Sequence, residues 1–358
     1  MVRIMRKTRQ ITVGNVKIGG GAPVSLQSMT NTETGDAEAT LLQINELAQA
    51  GCEIVRCAVP NAVVLDSFER ICELSPLPVV ADIHFDPKLA IAALERGAAC
   101  IRVNPGNLRG GEPAIREVAR TAGKMARPVR IGVNGGSLSQ EKLARFGRTP
   151  EALVESALEY INIFEEEGCH ALKVSLKASS VTITTQACRL FAAQSDIPLH
   201  LGITEAGPAS VGIIKSAVGI GSLLLDGIGE TMRVSLTAPP IEEIRAGRRI
   251  LEACGLRKAH PEIISCPTCG RTHFNLMGLV AQVEDAIARL HAEGTPIIVD
   301  KVAVMGCEVN GPGEASDADV GIAGTRNGGI LFKKGVKTAT LTEEEILPRL
   351  IREMTQEK

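Results

Sequence analysis

Three cysteines and one glutamate toward the C-terminal end of the 358-residue chain have types and spacings that suit a metal centre. Cys266-Pro-Thr-Cys269 is a C-x2-C knuckle, the usual way for two thiolates to reach one centre, and it is compatible with zinc, an iron–sulfur cluster or a dithiol redox pair. A four-cysteine zinc ribbon needs a second such pair, and beyond Cys269 the chain offers Cys307 alone. A zinc site of three cysteines completed by His273 therefore stays open. Cys307 begins the stretch GCEVNGPGE, in which Gly311, Pro312 and Gly313 fold the loop and return Glu314. A cubane on Cys266, Cys269 and Cys307 would leave one iron without a thiolate, whereas electron-transfer clusters normally have four. A carboxylate there is a weaker ligand that a substrate oxygen could displace, which separates a catalytic cluster from an electron relay.

A second set of chemically active residues is basic. Arg56 lies in EIVRCAV, Asp82 and His84 in ADIHF, Arg102 and Asn104 in IRVNPGN, and Arg130 and Asn134 in VRIGVNGG. Lys173, Ser175 and Lys177 follow in LKVSLKAS, Glu205 in GITEAG, and Arg233 and Ser235 in MRVSL. Many fall at even spacings, which on a strand puts their side chains on one face. So many cations facing few carboxylates suit a diphosphate, which arginine clamps bidentately and lysine holds as a point charge. Glu205 and Asp82 are the local acids available for proton transfer, and His84 is a further proton donor of the right type. Lys173 or Lys177 could alternatively form a Schiff base.

Such residues need strands to hold them. Strand-like runs occur at 24–29, 53–58, 78–83, 100–104, 129–134, 171–176, 198–204 and 222–226, with amphipathic helical segments such as 36–50, 113–125, 150–167 and 209–218 between them. Gly51, Gly97 and Gly168 stand where helices close before the next strand. Eight such units predict a (β/α)8 barrel over 1–256, with the charged strand ends at its mouth. An open doubly wound sheet is disfavoured because no glycine-rich dinucleotide turn follows the first strand. After Leu256 the rhythm changes to a smaller α/β domain over 257–358, with a helix near 276–292, strands near 296–304, 319–323 and 329–332, and a closing helix near 343–354 capped by Thr342 and Glu345.

Composition agrees with this reading. Apolar residues make up 44% of the chain, with no Trp and one Tyr, so the cores are aliphatic. The formal net charge of −2 and the lack of a long basic run argue against nucleic-acid binding. No stretch approaches the ~20 apolar residues of a membrane span, and the basic start MVRIMRKTRQ lacks the apolar core of a signal peptide. The expectation is a soluble, cytoplasmic chain. Its ten cysteines read as thiols or metal ligands, with Cys52, Cys72, Cys100, Cys169, Cys188 and Cys254 acting as small hydrophobes.

In order, SLQSMTNT, VRCAVP, ADIHF, IRVNPGN, RIGVNGGSL, KVSLKAS, GITEAG, LLLDGIGETMRVSLT, SCPTCGR and GCEVNGPGEA cover essentially the whole chain. With these motifs the chain resembles the bacterial 4-hydroxy-3-methylbut-2-enyl diphosphate synthases of two-domain type. The resemblance implies a TIM-barrel substrate domain followed by a [4Fe–4S] domain. It implies conversion of 2-C-methyl-D-erythritol 2,4-cyclodiphosphate to (E)-4-hydroxy-3-methylbut-2-enyl diphosphate, a two-electron reductive ring opening and dehydration fed by ferredoxin or flavodoxin. It places the cluster ligands at Cys266, Cys269, Cys307 and Glu314, the acid/base carboxylate at Glu205, and substrate contacts at Arg56, Arg102, Arg130, Asn134, Lys177, Arg233 and Ser235. It also implies a head-to-tail homodimer in which the cluster of one subunit closes over the barrel of the other. Competing readings are a redox-silent iron–sulfur dehydratase, a zinc-stabilised barrel aldolase on a phosphorylated substrate, and a redox sensor that binds a phosphorylated ligand.

Overall fold

Runs rich in Val, Ile and Leu without polar alternation form strands buried on both faces, as in a parallel sheet wrapped by helices. The computed structural model describes residues 5–258, 261–309, 313 and 315–356. The chain divides into two units, Met1–Leu256 and Arg257–Lys358.

In the first unit, β1 (Ile11–Val13) and β2 (Val16–Ile18) make an antiparallel hairpin. Then β3 (Ser25–Met29), β4 (Ile54–Ala58), β5 (Val79–Ile83), β6 (Cys100–Val103), β7 (Val129–Asn134), β8 (Leu172–Lys177), β9 (His200–Leu201) and β10 (Thr231–Met232) form one eight-stranded sheet in the order β8-β7-β6-β5-β4-β3-β10-β9. Its ends meet: Val174 of β8 bridges Leu199 in parallel, and the Val174 amide donates to the Pro198 carbonyl at 2.9 Å. The sheet is thereby closed into a parallel barrel. β9 and β10 are only two residues long, and a clamp from the N-terminal segment reinforces the seam beside them. Arg6 donates to the carbonyls of Ser195 (2.7 Å) and Ile197 (2.6 Å) and pairs with Glu230 (3.3 Å), whose carboxylate accepts the Leu199 amide at 2.5 Å.

A helix follows each barrel strand, and several helices of the first unit begin on a side-chain cap. Asp36, Asp86, Thr149 and Ser180 accept the amides of Ala39, Lys88, Ala152 and Ile183. Each such cap is worth about 0.5–2 kcal/mol and fixes the loop in front of it. Gly51, Gly97 and Gly168 end their helices at φ of 97°, 91° and 81°, a left-handed turn that a Cβ would strain. The core is aliphatic with a few Phe: Ile44, Phe68, Ile71, Phe164 and Phe191 are all fully buried.

The sequence reading misplaces one strand. Residues 222–226 are not β: the helix Ala209–Leu225 takes in 222–225 and is capped by Asp226, and the eighth strand is Thr231–Met232. An aliphatic run without polar alternation suits a packed helix as well as a strand. Gly219 lets this helix lie against the sheet, since a Cβ there would meet Ile203 Cδ1 at 2.6 Å.

In the second unit β11 (Glu262–Ser265), β12 (Lys301–Met305) and β13 (Val320–Thr325) are parallel, and β14 (Gly328–Lys333) and β15 (Val336–Leu341) continue the sheet antiparallel. Helices Leu276–Ala292 and Glu343–Thr355 pack on it through Val283, Val302, Val304, Ile322 and Leu350. The Thr342 amide donates to Glu345 Oε2 at 2.8 Å, completing the expected cap. The strand expected at 296–304 begins only at Lys301, and β11 and β15 are additions to the sequence reading. No described helix is long and apolar enough to cross a membrane.

Candidate active site

The even spacing of polar residues along the strands becomes a set of rows inside the barrel. Asp82 pairs in register with Arg102, Arg102 with Arg130, and Arg130 with Lys173; nearer the mouth Asn134 pairs with Lys177. Asp82, Arg102, Asn104, Arg130, Lys173, Ser175 and Lys177 are all buried. Glycines make room for the longest side chains. A Cβ at Gly132 would meet Arg102 Nε at 2.9 Å, and one at Gly202 would strike Lys177 Nζ and the Arg233 carbonyl.

Counter-charge is scarce among these cations. Asp82 bonds Arg102 at 3.3 Å and His84 Nε2 at 3.1 Å, and faces Arg56 at 3.9 Å. Burial alone would raise its carboxyl, but Arg56, His84, Arg102 and Arg130 together hold it well below the usual carboxylate range. Arg56 is lowered to about 10 by burial, which outweighs Asp82, with Arg233 and Arg102 adding repulsion. Burial foremost, then the neighbouring arginines, pushes Arg130 and Lys177 well down. Lys173 falls to about 8, again chiefly through burial. Desolvated cations that repel one another are poised for an anion.

Two further residues hold the arginines. Glu243, on the helix Pro240–Ala253, takes Arg233 in a two-pronged pair at 3.0 Å on each prong. Met29, ending β3, offers its Sδ to Arg56 Nε (3.2 Å) and Nη2 (2.9 Å) and to Arg233 Nη1 (3.5 Å). Motif reading missed both roles. SLQSM marks a strand without its partner, and nothing in PPIEEIRAG separates Glu243 from Glu242.

A cavity of about 510 Å³ at the strand ends is lined by Asn104, Asn134, Lys177, Thr204, Glu205 and Arg148, among others. Glu205 is exposed and holds a left-handed φ of 53°, a backbone strain of about 1–3 kcal/mol for a residue with a Cβ. Asn134, Lys177 and Glu205 thus share one cavity, while Arg56, Arg102 and Arg233 gather around Asp82, Met29 and Glu243. Ser235 is half-buried in the loop after β10. A groove of about 660 Å³ between the helices Ala209–Leu225 and Pro240–Ala253 contains none of the candidate residues.

In the second unit Cys266 and Cys307 lie just beyond the C-terminal ends of β11 and β12, which are neighbours in parallel register through Ser265 and Val304. The Gly306 amide donates to Cys266 Sγ at 3.2 Å. Cys269 is exposed, and the Arg271 amide, helped by the Arg271 charge and the Thr272 hydroxyl, pulls its thiol below the ordinary value. Burial instead pushes the barrel thiols Cys52 and Cys188 up to about 12. Among the described residues no three of His, Cys, Asp or Glu converge on one point as single-ion ligands. A cubane spreads its thiolates over separate irons and needs no such point. Unbridged thiols, an N–H to sulfur bond and an acidified Cys269 fit that donor set. Glu314, with Gly311 and Pro312 of its loop, lies outside the described residues.

The GcpE TIM-barrel domain matches residues 8–248, and the GcpE protein C-terminal domain matches 262–356. The chain belongs to the GcpE family. A relative from Geobacter sulfurreducens, named 4-hydroxy-3-methylbut-2-en-1-yl diphosphate synthase (flavodoxin), is 53% identical over 97% of this chain and 97% of its own length. One of the same name from Salinispora arenicola is 50% identical over 97% of this chain and 88% of its own length. Among solved structures, the Yersinia pestis dihydropteroate synthase superposes with a TM-score of 0.50 at 12% identity, covering 69% of this chain and 98% of that one, a likeness of fold alone. The GcpE barrel match spans every barrel cation described above, of which Arg130 and Lys173 lie near the starts of their strands rather than at the expected ends, and the C-terminal match spans the three thiols.

Proposed function

We propose that this chain is a 4-hydroxy-3-methylbut-2-enyl diphosphate synthase acting on 2-C-methyl-D-erythritol 2,4-cyclodiphosphate, with flavodoxin, the donor in its relatives' names, as the source of electrons. The observation that carries the reading is the row of buried, under-compensated cations inside the barrel, with Arg130 and Lys173 near the starts of their strands and Lys177 at the mouth, in a chain of this family. Substrate enters as a cyclic diphosphate, and opening the ring turns a phosphate ester oxygen into a new anionic oxygen. Arg56, Arg102, Arg130, Lys177 and Arg233, with Asn134 and Ser235, hold both phosphates and stabilise that added charge in a dry site. Glu205 gives its proton to the departing hydroxyl, which leaves as water. One substrate, two electrons and one proton yield the linear diphosphate and one water.

Cys266, Cys269 and Cys307, with Glu314, are the residues to hold a [4Fe–4S] cluster, which when bound supplies single electrons and Lewis acidity. The chain works in the cytoplasm as a head-to-tail homodimer. The test is anaerobic: iron and sulfide analysis with EPR of the reduced protein, before and after the cyclic diphosphate. About four irons per chain and a spectrum altered by substrate are expected; zinc instead of iron, or an indifferent spectrum, would return the chain to the aldolase or sensor readings. In parallel, Glu205→Gln should retain cluster and binding yet lose turnover, and near-normal turnover would remove Glu205 from the chemistry.

A further inference from the structure

We infer that Glu243 is a positioning residue for the diphosphate site, fixing the guanidinium of Arg233 so that one nitrogen edge faces the ligand beside Arg56. The inference rests on Arg233 being a diphosphate ligand, as proposed above.

Glu243 is 2% exposed, and each of its oxygens takes two donors. Oε2 accepts Arg233 Nε (3.0 Å) and Ser28 Oγ (3.1 Å), and Oε1 accepts Arg233 Nη2 (3.0 Å) and the Leu236 amide (3.1 Å). Its acceptor capacity is thus filled by protein, so it acts through Arg233 rather than on a ligand. The donors come from β3, the end of β10 and the loop after it, so one carboxylate ties both strands to the following helix. That helix lies close against β3 because of Gly247, one turn beyond Glu243, where a Cβ would meet Leu26 Cδ1 at 2.5 Å. With Nε and Nη2 engaged, Arg233 has Nη1 left over, 3.5 Å from Met29 Sδ, the sulfur that also receives Arg56 Nε and Nη2. Two guanidiniums thus stand against one neutral acceptor. Their repulsion would swing Arg233 away if nothing held its far edge.

Charge alone predicts the opposite of positioning. Removing a carboxylate from an anion site raises its positive potential and tightens binding, whereas freeing Arg233 weakens it. The experiment uses E243Q in the anaerobically isolated holoenzyme, with calorimetric affinity for the cyclic diphosphate and steady-state rates. The expected result is a Kd and KM raised about tenfold, the loss of roughly one charge-assisted bond, with kcat within about threefold. R233A should weaken binding at least as much, and the double variant should bind no worse than R233A, because partners in one interaction are not additive. Unchanged or tighter binding by E243Q while R233A weakens overturns the inference alone, as does additivity in the double variant. Unchanged binding by R233A removes Arg233 from the diphosphate site and so overturns the underlying reading. If E243Q does not fold, S28A removes a single donor and should raise Kd about threefold; no change in S28A overturns the positioning role.

Discussion

Gly132→Ala places one methyl group against the functional end of one arginine. The atoms nearest a Cβ at this β7 position are Arg102 Nε at 2.9 Å, Nη2 at 3.1 Å and Cζ at 3.4 Å. Ordinary contact would need the guanidinium to retreat by about 0.5 Å, and its bond to Asp82 is already 3.3 Å long. A charge-assisted hydrogen bond is worth about 1.5–3 kcal/mol, so misplacing Arg102 should weaken diphosphate binding by about 10- to 100-fold. Stability should move much less. Ala gains about 0.4–1 kcal/mol over Gly through the unfolded chain, against about 1–3 kcal/mol for overpacking. The melting temperature should therefore shift by only a few degrees, at about 2–4 °C per kcal/mol. Calorimetric titration with the cyclic diphosphate and a thermal melt on the same sample separate the two effects. A normal Kd with a lowered melting temperature would show that Arg102 is a structural cation, and would refute its placement in the diphosphate site.

Lys173→Met should stabilise the fold in a pH-dependent way. Burial lowers this amine from 10.5 to about 8, so between those values the unfolded chain binds a proton that the folded one does not, and stability rises with pH across that window. Below pH 8 the full cost stands, on the order of 3 kcal/mol; urea titrations should show the variant ahead at pH 7 and level with the parent near pH 10.5, and a constant gap would contradict this. Asp82→Asn leaves Arg56 and Arg102 without their carboxylate and should cost about 3–5 kcal/mol in denaturant unfolding, partly restored by pyrophosphate; a loss below about 1 kcal/mol would mean the arginines are anchored elsewhere. Cys266→Ser should lower iron content by chemical assay while leaving pyrophosphate binding intact; a full complement of iron would take Cys266 out of the ligand set.

What the sequence made legible was local. The period of two puts Arg102 with Asn104, Arg130 with Asn134, and Lys173 with Ser175 and Lys177 on one face of each strand, whereas the register that sets Asp82, Arg102, Arg130 and Lys173 level across four strands is not carried by spacing. The knuckle at Cys266 is equally local. The run 222–226 failed because leucines without polar alternation do not report a period, and β10 is too short, at two residues, to leave a pattern. β11 escaped because its four residues merge with the approach to the knuckle. Partners far apart in the chain left no trace: Met29 and Arg233 meet across 204 positions. Glu243 looks like any first-turn acid until Ser28 and Arg233 are seen around it.

The clamp at the barrel seam changes which part of the chain can be spared. Trimming the first few residues is ordinarily the safest edit to a barrel enzyme, because the first strand begins well beyond them. Here Arg6 bonds the carbonyls of Ser195 and Ile197 and the carboxylate that carries the Leu199 amide, at the point where the wall has its shortest strands. The N-terminal segment is thus a latch on a far part of the barrel. A fusion or truncation that disturbs Arg6 would loosen β9 and β10, and with them Gly202 and Arg233, nearly two hundred residues or more from the edit.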